Sequence, residues 1–310
     1  MQLLLLESIS RILRKADFDF VMLTETKSRC FDLVARKKDE LYLIKVLYNV
    51  DSLKPDVADE LKKLANLLKA VPLVVGEKFK TDFLERGVVY TRYGVPVVSV
   101  ATFYDYVVEK IPIFIYSAPG GYYVKLDGEK IREARERLGM SIGEVSKCLG
   151  VSRRTIKKYE EGIDTNLETA VKMEELFGIE VIKSLDFKSF VNYEFKAAEE
   201  EEIKDRTLVK LKEIGLDVYP VKQAPFDAIS DAAGNTIITG VREVRELRRR
   251  VILIGEISRV TEKIAAYITE KQPKLDIKSV VFILKDELDC VNSAKDFVYL
   301  IEEKSKGSLC

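Results

Sequence analysis

The chain has 310 residues, 47% of them hydrophobic and 33% charged, enough for two or three water-soluble domains with sizeable cores. Its 51 basic and 51 acidic residues cancel, so attraction of nucleic acid to the whole surface is not implied and any basic recognition surface must be local. Histidine is absent, and Cys30, Cys148, Cys290 and Cys310 show no paired spacing, which argues against a zinc site, a histidine triad or structural disulfides.

The elements follow in chain order. The opening MQLLLLESISRILRK has too short an apolar run for a signal sequence or a membrane span and reads as an amphipathic helix over 3–16. Strands are expected over 19–24, 30–36 and 40–47, with Lys37, Lys38 and Asp39 turning between the last two. A helix over 53–70 presents Val57, Leu61, Leu64 and Leu68 on one face. Strands over 71–75 and 96–100 and a short helix over 102–110 complete an α/β or α+β domain, assigned to residues 1–118.

Asp32 on the second strand and Lys45 on the third resemble the PD-(D/E)xK nucleases, including archaeal Holliday-junction resolvases. That resemblance implies an Asp and a Glu-x-Lys that hold Mg²⁺ and orient a water. Mg²⁺ prefers several hard oxygen ligands, and Leu43 stands where the Glu belongs. Glu7 is an auxiliary acid at best. The expectation is a nuclease-like scaffold that binds no metal or cofactor and is not an enzyme.

A Ser-Ala-Pro-Gly-Gly stretch at 117–121 marks a boundary by composition, and the next domain is assigned to 119–187. A strand over 122–126 leads to a helix over 129–138 with Ile131, Ala134 and Leu138 inward. The run SIGEVSKCLGVSRRTIKKYEEG then reads as two short helices and a tight turn. Ser141 with Glu144 forms a capping box, and Val145, Cys148 and Leu149 share an apolar face. Gly150 ends the first helix and Ser152 caps the second, where Ile156 and Tyr159 face inward; Val145, Leu149, Val151, Ile156 and Tyr159 are expected to fill the buried places. Numbered from Ile142, Ser146 is the small fifth residue and Gly150 the ninth, the spacing of a helix-turn-helix over 142–161. Arg153, Arg154, Lys157 and Lys158 lie on the outer faces of the recognition helix, 152–160. Arg forks onto guanine, and Lys neutralises phosphates. Thr165 with Glu168 is expected to open a further helix to Phe177, burying Leu167, Ala170, Met173 and Phe177.

Residues 120–162 resemble the archaeal HTH-type transcriptional regulatory proteins, which carry a Cro-type domain in mid-chain, and the likeness runs the length of the chain. It implies a sequence-specific DNA-binding regulator with an all-α Cro/phage-repressor-like domain. Many Cro-type domains open the first motif helix with a phosphate-binding Gln. Ile142 stands there, so Ser141 or a backbone N–H is expected to take that contact.

An acidic run at 199–202 precedes a last domain, 188–310, in which the first pattern returns. A helix over 208–214, strands over 216–221, 226–230 and 236–240, and a helix striped by Val244, Leu247, Val251, Ile254 and Ile257 come first. Strands over 265–269 and 280–284 and a helix over 285–291 follow. Asp227 falls where Asp32 did, and Gly240 where Lys45 did, which suggests two diverged copies of one restriction-endonuclease-like α/β fold flanking the central domain.

The leading reading is a cytoplasmic transcriptional regulator, a homodimer on double-stranded DNA, with no membrane partner and no small-molecule effector that the sequence names. Its flanks serve dimerisation or sensing. Arg153 and Arg154 contact bases, Ser152 and Thr155 fix the backbone, and Lys157 and Lys158 meet phosphates. The alternative is a Mg²⁺-dependent DNA nuclease built on Asp32 and Lys45; an architectural or antitoxin-like binder is a third.

Overall fold

The computed structural model describes residues 2–23, 29–190, 202–232, 234–241, 247–273 and 277–307. Expectations for Val244 and for most of the acidic run, 199–201, lie outside the described residues. The chain forms two compact units, one of residues 1–46, 53–73 and 192–310, the other of 47–52 and 74–191.

The first unit opens with α1 (Gln2–Lys15), whose Leu5, Leu6, Ile9, Ile12 and Leu13 are buried. Strands β1 (Asp19–Met22), β2 (Leu33–Lys37) and β3 (Glu40–Asn49) pair antiparallel, Val34 opposite both Val21 and Leu43. Residues 41–47 of β3 are all buried, the mark of a strand covered on both faces. Pro55, preset in φ, starts α2 (Pro55–Leu68), and Lys69 closes it in the left-handed conformation. Its core stripe is Ala58, Leu61, Leu64, Ala65 and Leu68; Val57, expected inward, is half-buried.

The second unit holds β4 (Val71–Phe79) from Val74 onward, β5 (Asp82–Phe83), β6 (Val88–Arg92) and β7 (Val95–Ser99). Next come α3 (Val100–Tyr104) with a π-turn over Asp105–Glu109, β8 (Ile115–Ala118) and β9 (Gly121–Leu126). Four short helices follow: α4 (Gly128–Arg137), α5 (Ile142–Leu149), α6 (Arg153–Glu160) and α7 (Leu167–Phe177). Strands β10 (Thr165–Asn166) and β11 (Ile182–Lys183) flank α7 in sequence. The sheet order is β4-β7-β6-β8-β9-β10, with β5 beside β4 and β11 beside β9. Residues 117–121 are thus the turn of the β8–β9 hairpin, and the helices grow out of a sheet that is continuous with β4–β7.

Two further ties hold the helices there. Tyr116 on β8 donates to Asp164 at 2.6 Å, and Tyr122 on β9 donates to Glu85 at 2.6 Å. Both phenols sit above their usual pKa, Tyr116 chiefly through burial and Tyr122 chiefly through its bond to Glu85.

The chain then returns to the first unit. There α8 (Arg206–Glu213), β12 (Asp217–Pro220), β13 (Ala228–Ala232), β14 (Asn235–Gly240), α9 (Leu247–Thr261), β15 (Ile264–Thr269), β16 (Val281–Leu284), α10 (Lys285–Asp289) and α11 (Ala294–Gly307) repeat the opening pattern. β12, β13 and β14 pair antiparallel like β1, β2 and β3, and β15 and β16 extend the sheet in parallel. The last helix was not among the expected elements. It buries Phe297 and Ile301 in the core of this copy.

The two copies dock within the first unit. Arg36 of β2 donates to the last carbonyls of α9, Val260 at 2.8 Å and Thr261 at 2.9 Å, and pairs with Glu262 at 2.8 Å. A cation at a helix C-terminus satisfies carbonyls that have no intrahelical partner. Lys63 donates to the Pro220 carbonyl at 2.7 Å, and the Lys222 N–H to Glu60 at 2.9 Å.

Candidate nucleic-acid interface

Local chemistry builds the helix pair as its residues dictate. Ser141 Oγ accepts from the Glu144 N–H at 3.2 Å, and Glu144 accepts from the Ser141 N–H at 2.8 Å, a complete capping box. That bond holds the Glu144 carboxyl below the usual carboxylate range. Gly150 ends α5 at φ +67, a conformation open to glycine without penalty. Ser152 then caps α6, accepting from the Thr155 N–H at 3.1 Å. Val145, Leu149, Ile156 and Tyr159 are buried in one core with Ile131, Ala134, Ala170, Met173 and Phe177.

The structure corrects several expectations in this domain. Cys148 and Leu138 are exposed, because α4 and α5 bury narrower stripes than their apolar spacing suggests. Thr165 does not cap α7; Asn166 does, accepting from the Thr169 N–H at 2.8 Å. Thr165 is taken up by β10 and bonds to the buried Tyr159 hydroxyl at 3.0 Å. Leu167 and Val151, both expected in the core, are half-buried.

The candidate contact residues fall as follows. Arg153, Arg154, Lys157 and Lys158 are exposed on α6, and Ser141 and Ser152 are exposed at the N-termini of the two helices. Thr155 is half-buried, and its hydroxyl meets that of Ser152 at 2.8 Å. The N-terminus of α6 therefore presents two arginines and the positive end of a helix dipole, a surface suited to an anionic partner. Arg153 lies over Gly143 of α5; a Cβ there would meet its guanidinium at 3.1–3.4 Å.

Sequence reading missed what fixes the tilt of α6. Glu160 is buried and pairs with Arg135 of α4 at 2.5 Å; Arg135 also donates to the Met140 carbonyl at 3.2 Å. Arg132 stands 3.8 Å from the same carboxylate. Gly128 packs so closely that a Cβ would lie 2.4 Å from the Glu160 carbonyl. No periodic signal marks Glu160, which reads as one more charge on a charged helix.

The nuclease-like centre has a different character. Asp32 is 1% exposed, and every oxygen is engaged by the chain itself. Oδ1 takes Arg29 Nε at 2.9 Å, while Oδ2 accepts from the Val46 N–H at 2.8 Å and lies 3.3 Å from Lys45. Leu43 is fully buried at the position of the missing acid. A cavity of about 150 Å³ beside Asp32 is lined by Gln2, Leu3, Leu6, Arg29 and Val46, and Glu7 does not reach it. One carboxylate between two cations does not suit Mg²⁺, which needs several anionic oxygens. Among the described residues no group of three acids, cysteines or histidines is placed to hold a metal.

Asp227 occupies the same place in the second copy. Its Oδ2 accepts from the Val241 N–H at 2.8 Å, fourteen residues on, as Asp32 does from Val46, and Arg250 pairs with Oδ1 at 2.7 Å. Gly240 replaces Lys45 because the Tyr267 ring fills the space: a Cβ would meet it at 2.5 Å. In both copies the aspartate joins the end of one strand to the next. Asp32→Ala is expected to lower stability by about 3–5 kcal/mol, since it leaves Arg29 and Lys45 buried beside each other without their counter-charge. Thermal unfolding of the full chain measures this; a midpoint within a degree of wild type would contradict it.

Comparison with known proteins bears on both sites. A family model described as a PD-(D/E)XK superfamily domain matches residues 3–113, and one described as a helix-turn-helix matches residues 131–182. A protein of Archaeoglobus fulgidus named "Putative HTH-type transcriptional regulatory protein" is 59% identical over 302 residues, 97% of this chain and 98% of its own. Proteins of the same name from Methanoculleus marisnigri and Thermococcus gammatolerans are 35% and 36% identical, over 96% of this chain and 98% and 95% of theirs. No solved structure matches the chain. Among the described residues, no helix is long and apolar enough to cross a membrane.

Proposed function

Because the chain belongs to the archaeal family of HTH-type transcriptional regulatory proteins, we propose that it is a sequence-specific, DNA-binding regulator of transcription that works in the cytoplasm without catalysis. The observation that carries this reading is α6 itself: a capped helix with its apolar side in a core and four exposed cations on its other faces. On this reading α6 lies in the major groove, Arg153 and Arg154 fork onto base edges, and Lys157 and Lys158 neutralise phosphates. Ser141, Ser152 and Thr155 set the helix ends against the backbone. One recognition helix reads few base pairs, so two chains bind as a homodimer across a pseudo-palindrome, with half-sites about one helical turn apart.

The nuclease reading is disfavoured by the neutralised carboxylate at Asp32 and by Leu43. Recovery of bound fragments from a sheared genome, with and without Mg²⁺, separates the two. Intact fragments sharing a two-fold repeat are expected in both conditions. Fragments cut only with Mg²⁺ would replace the regulator by an enzyme. Sedimentation of the protein with one recovered fragment is expected to give two chains per duplex, and one chain per duplex would remove the dimer.

A further inference from the structure

Gly143 stands in the first turn of α5, and nothing in its own backbone calls for glycine. Its φ lies outside the left-handed region, unlike that of Gly150 at the end of the same helix. Glycine is a poorer helix former than alanine, because it loses more backbone freedom on folding. What a side chain at 143 would meet is Arg153. The three atoms nearest to a Cβ there all belong to its guanidinium: Nη2 at 3.1 Å, Nε at 3.2 Å and Cζ at 3.4 Å. Arg153 is the first residue of α6, so its side chain reaches back across the turn to α5. No ion pair holds it there among the described residues; Glu144, the acid of the same turn, accepts from the Ser141 N–H instead.

We propose that Gly143 is a positioning residue for DNA recognition. It leaves the space in which the Arg153 guanidinium is seated before DNA arrives, and so fixes which base edge that arginine reads. The inference rests on the reading that Arg153 contacts a base, and deepens it. The physical reason is entropic. Arginine is among the side chains that lose most rotamer freedom when fixed, and one already seated against a helix loses less on binding. A seat on α5 also ties the guanidinium to two helices, so its direction follows the rigid pair rather than one flexible stem. A glycine that only let a phosphate approach the α5 backbone would act without Arg153, which makes the two roles separable.

Two measurements test this. In the free full-length protein, ¹⁵N relaxation of the arginine Nε–H groups reports side-chain order without DNA. Arg153 is expected to be more ordered in wild type than in Gly143→Leu, with Arg154 unaffected by the substitution. Equal order of Arg153 in the two proteins would overturn the inference, whatever α6 binds. On a recovered genomic fragment, Gly143→Leu should lower specific affinity roughly two- to tenfold, the worth of ordering one rotamer-rich side chain. Gly143→Ala, which asks the guanidinium to give by only a few tenths of an ångström, should cost less. In an Arg153→Ala background, Gly143→Leu should cost nothing further. Among single base-pair changes through the half-site, Gly143→Leu should relax discrimination at the position that Arg153→Ala relaxes and at no other. Alanine and leucine are better helix formers than glycine, so unfolding midpoints at or above wild type are expected; the alanine variant carries the same comparison should leucine lower the midpoint. An equal loss with and without Arg153 would show that the glycine makes room for DNA, and would overturn the proposal. Full specific affinity in Arg153→Ala would sink the base-contact reading itself, a failure that the relaxation result tells apart from a missing seat.

Discussion

Arg153→Ala/Arg154→Ala is expected to abolish sequence-specific DNA binding while leaving the fold untouched. Each good bidentate contact to a base contributes roughly 1–3 kcal/mol of discrimination, so losing both should lower specific affinity by on the order of thirtyfold to twenty-thousandfold. Both side chains are exposed, and neither caps α6, since Ser152 does that. The loss therefore cannot be ascribed to unfolding. Lys157→Gln/Lys158→Gln should behave differently, weakening all duplexes about equally and flattening the salt dependence by about two. Binding to a recovered genomic fragment and to an unrelated duplex, at several salt concentrations, separates the two kinds of residue. An arginine variant that discriminates between the two duplexes as well as wild type would move recognition away from α6.

The second large effect is expected at a residue that touches no DNA. Arg135→Met should destabilise the helical domain by about 3–5 kcal/mol, because it strands the buried Glu160 carboxylate at the end of the recognition helix. The burial of Glu160, with the Arg135 side chain only 13% exposed, justifies that magnitude; an exposed pair would contribute less than about 1 kcal/mol. Arg132, at 3.8 Å and half exposed, is too far and too wet to compensate. Replacing both partners, Arg135→Met with Glu160→Leu, should recover much of the loss, since no lone charge remains. Hydrogen exchange along α4 and α6 gives the readout. Unchanged protection in Arg135→Met would show that the helices are held by their apolar core alone.

These two residue sets differ in how far sequence reading reaches them. The caps at Ser141 and Ser152, the turn at Gly150 and the inward set of Val145, Leu149, Ile156 and Tyr159 rest on interactions within a few residues, so the chain spells them out. The aspartates were legible for a related reason: Asp32 and Asp227 stand in repeated strand patterns, and both accept from the residue fourteen positions on. Strand β6 escaped because its hairpin turns at Tyr93 and Gly94, both at positive φ. Such a turn is normally announced by Asn, Asp or Gly at its first position, and Tyr sends no such signal. Likewise 117–121 looked like a boundary between domains, although the same residue types serve a tight hairpin within one sheet.

The sequence by itself determined the helix-turn-helix, the cations on its outer faces, the α/β character of the flanks and their internal repeat. All of these follow from local capping, turn and periodic burial preferences. Only the tertiary structure decided that Glu160 is a buried anchor rather than a surface charge, that Gly128 sits where no side chain fits, and that Arg29 and Lys45 close on Asp32 where a metal would need more acids. Those outcomes depend on which distant segments meet. A charge acquires its meaning from the dielectric and the counter-charge around it, and a glycine from the backbone packed against it.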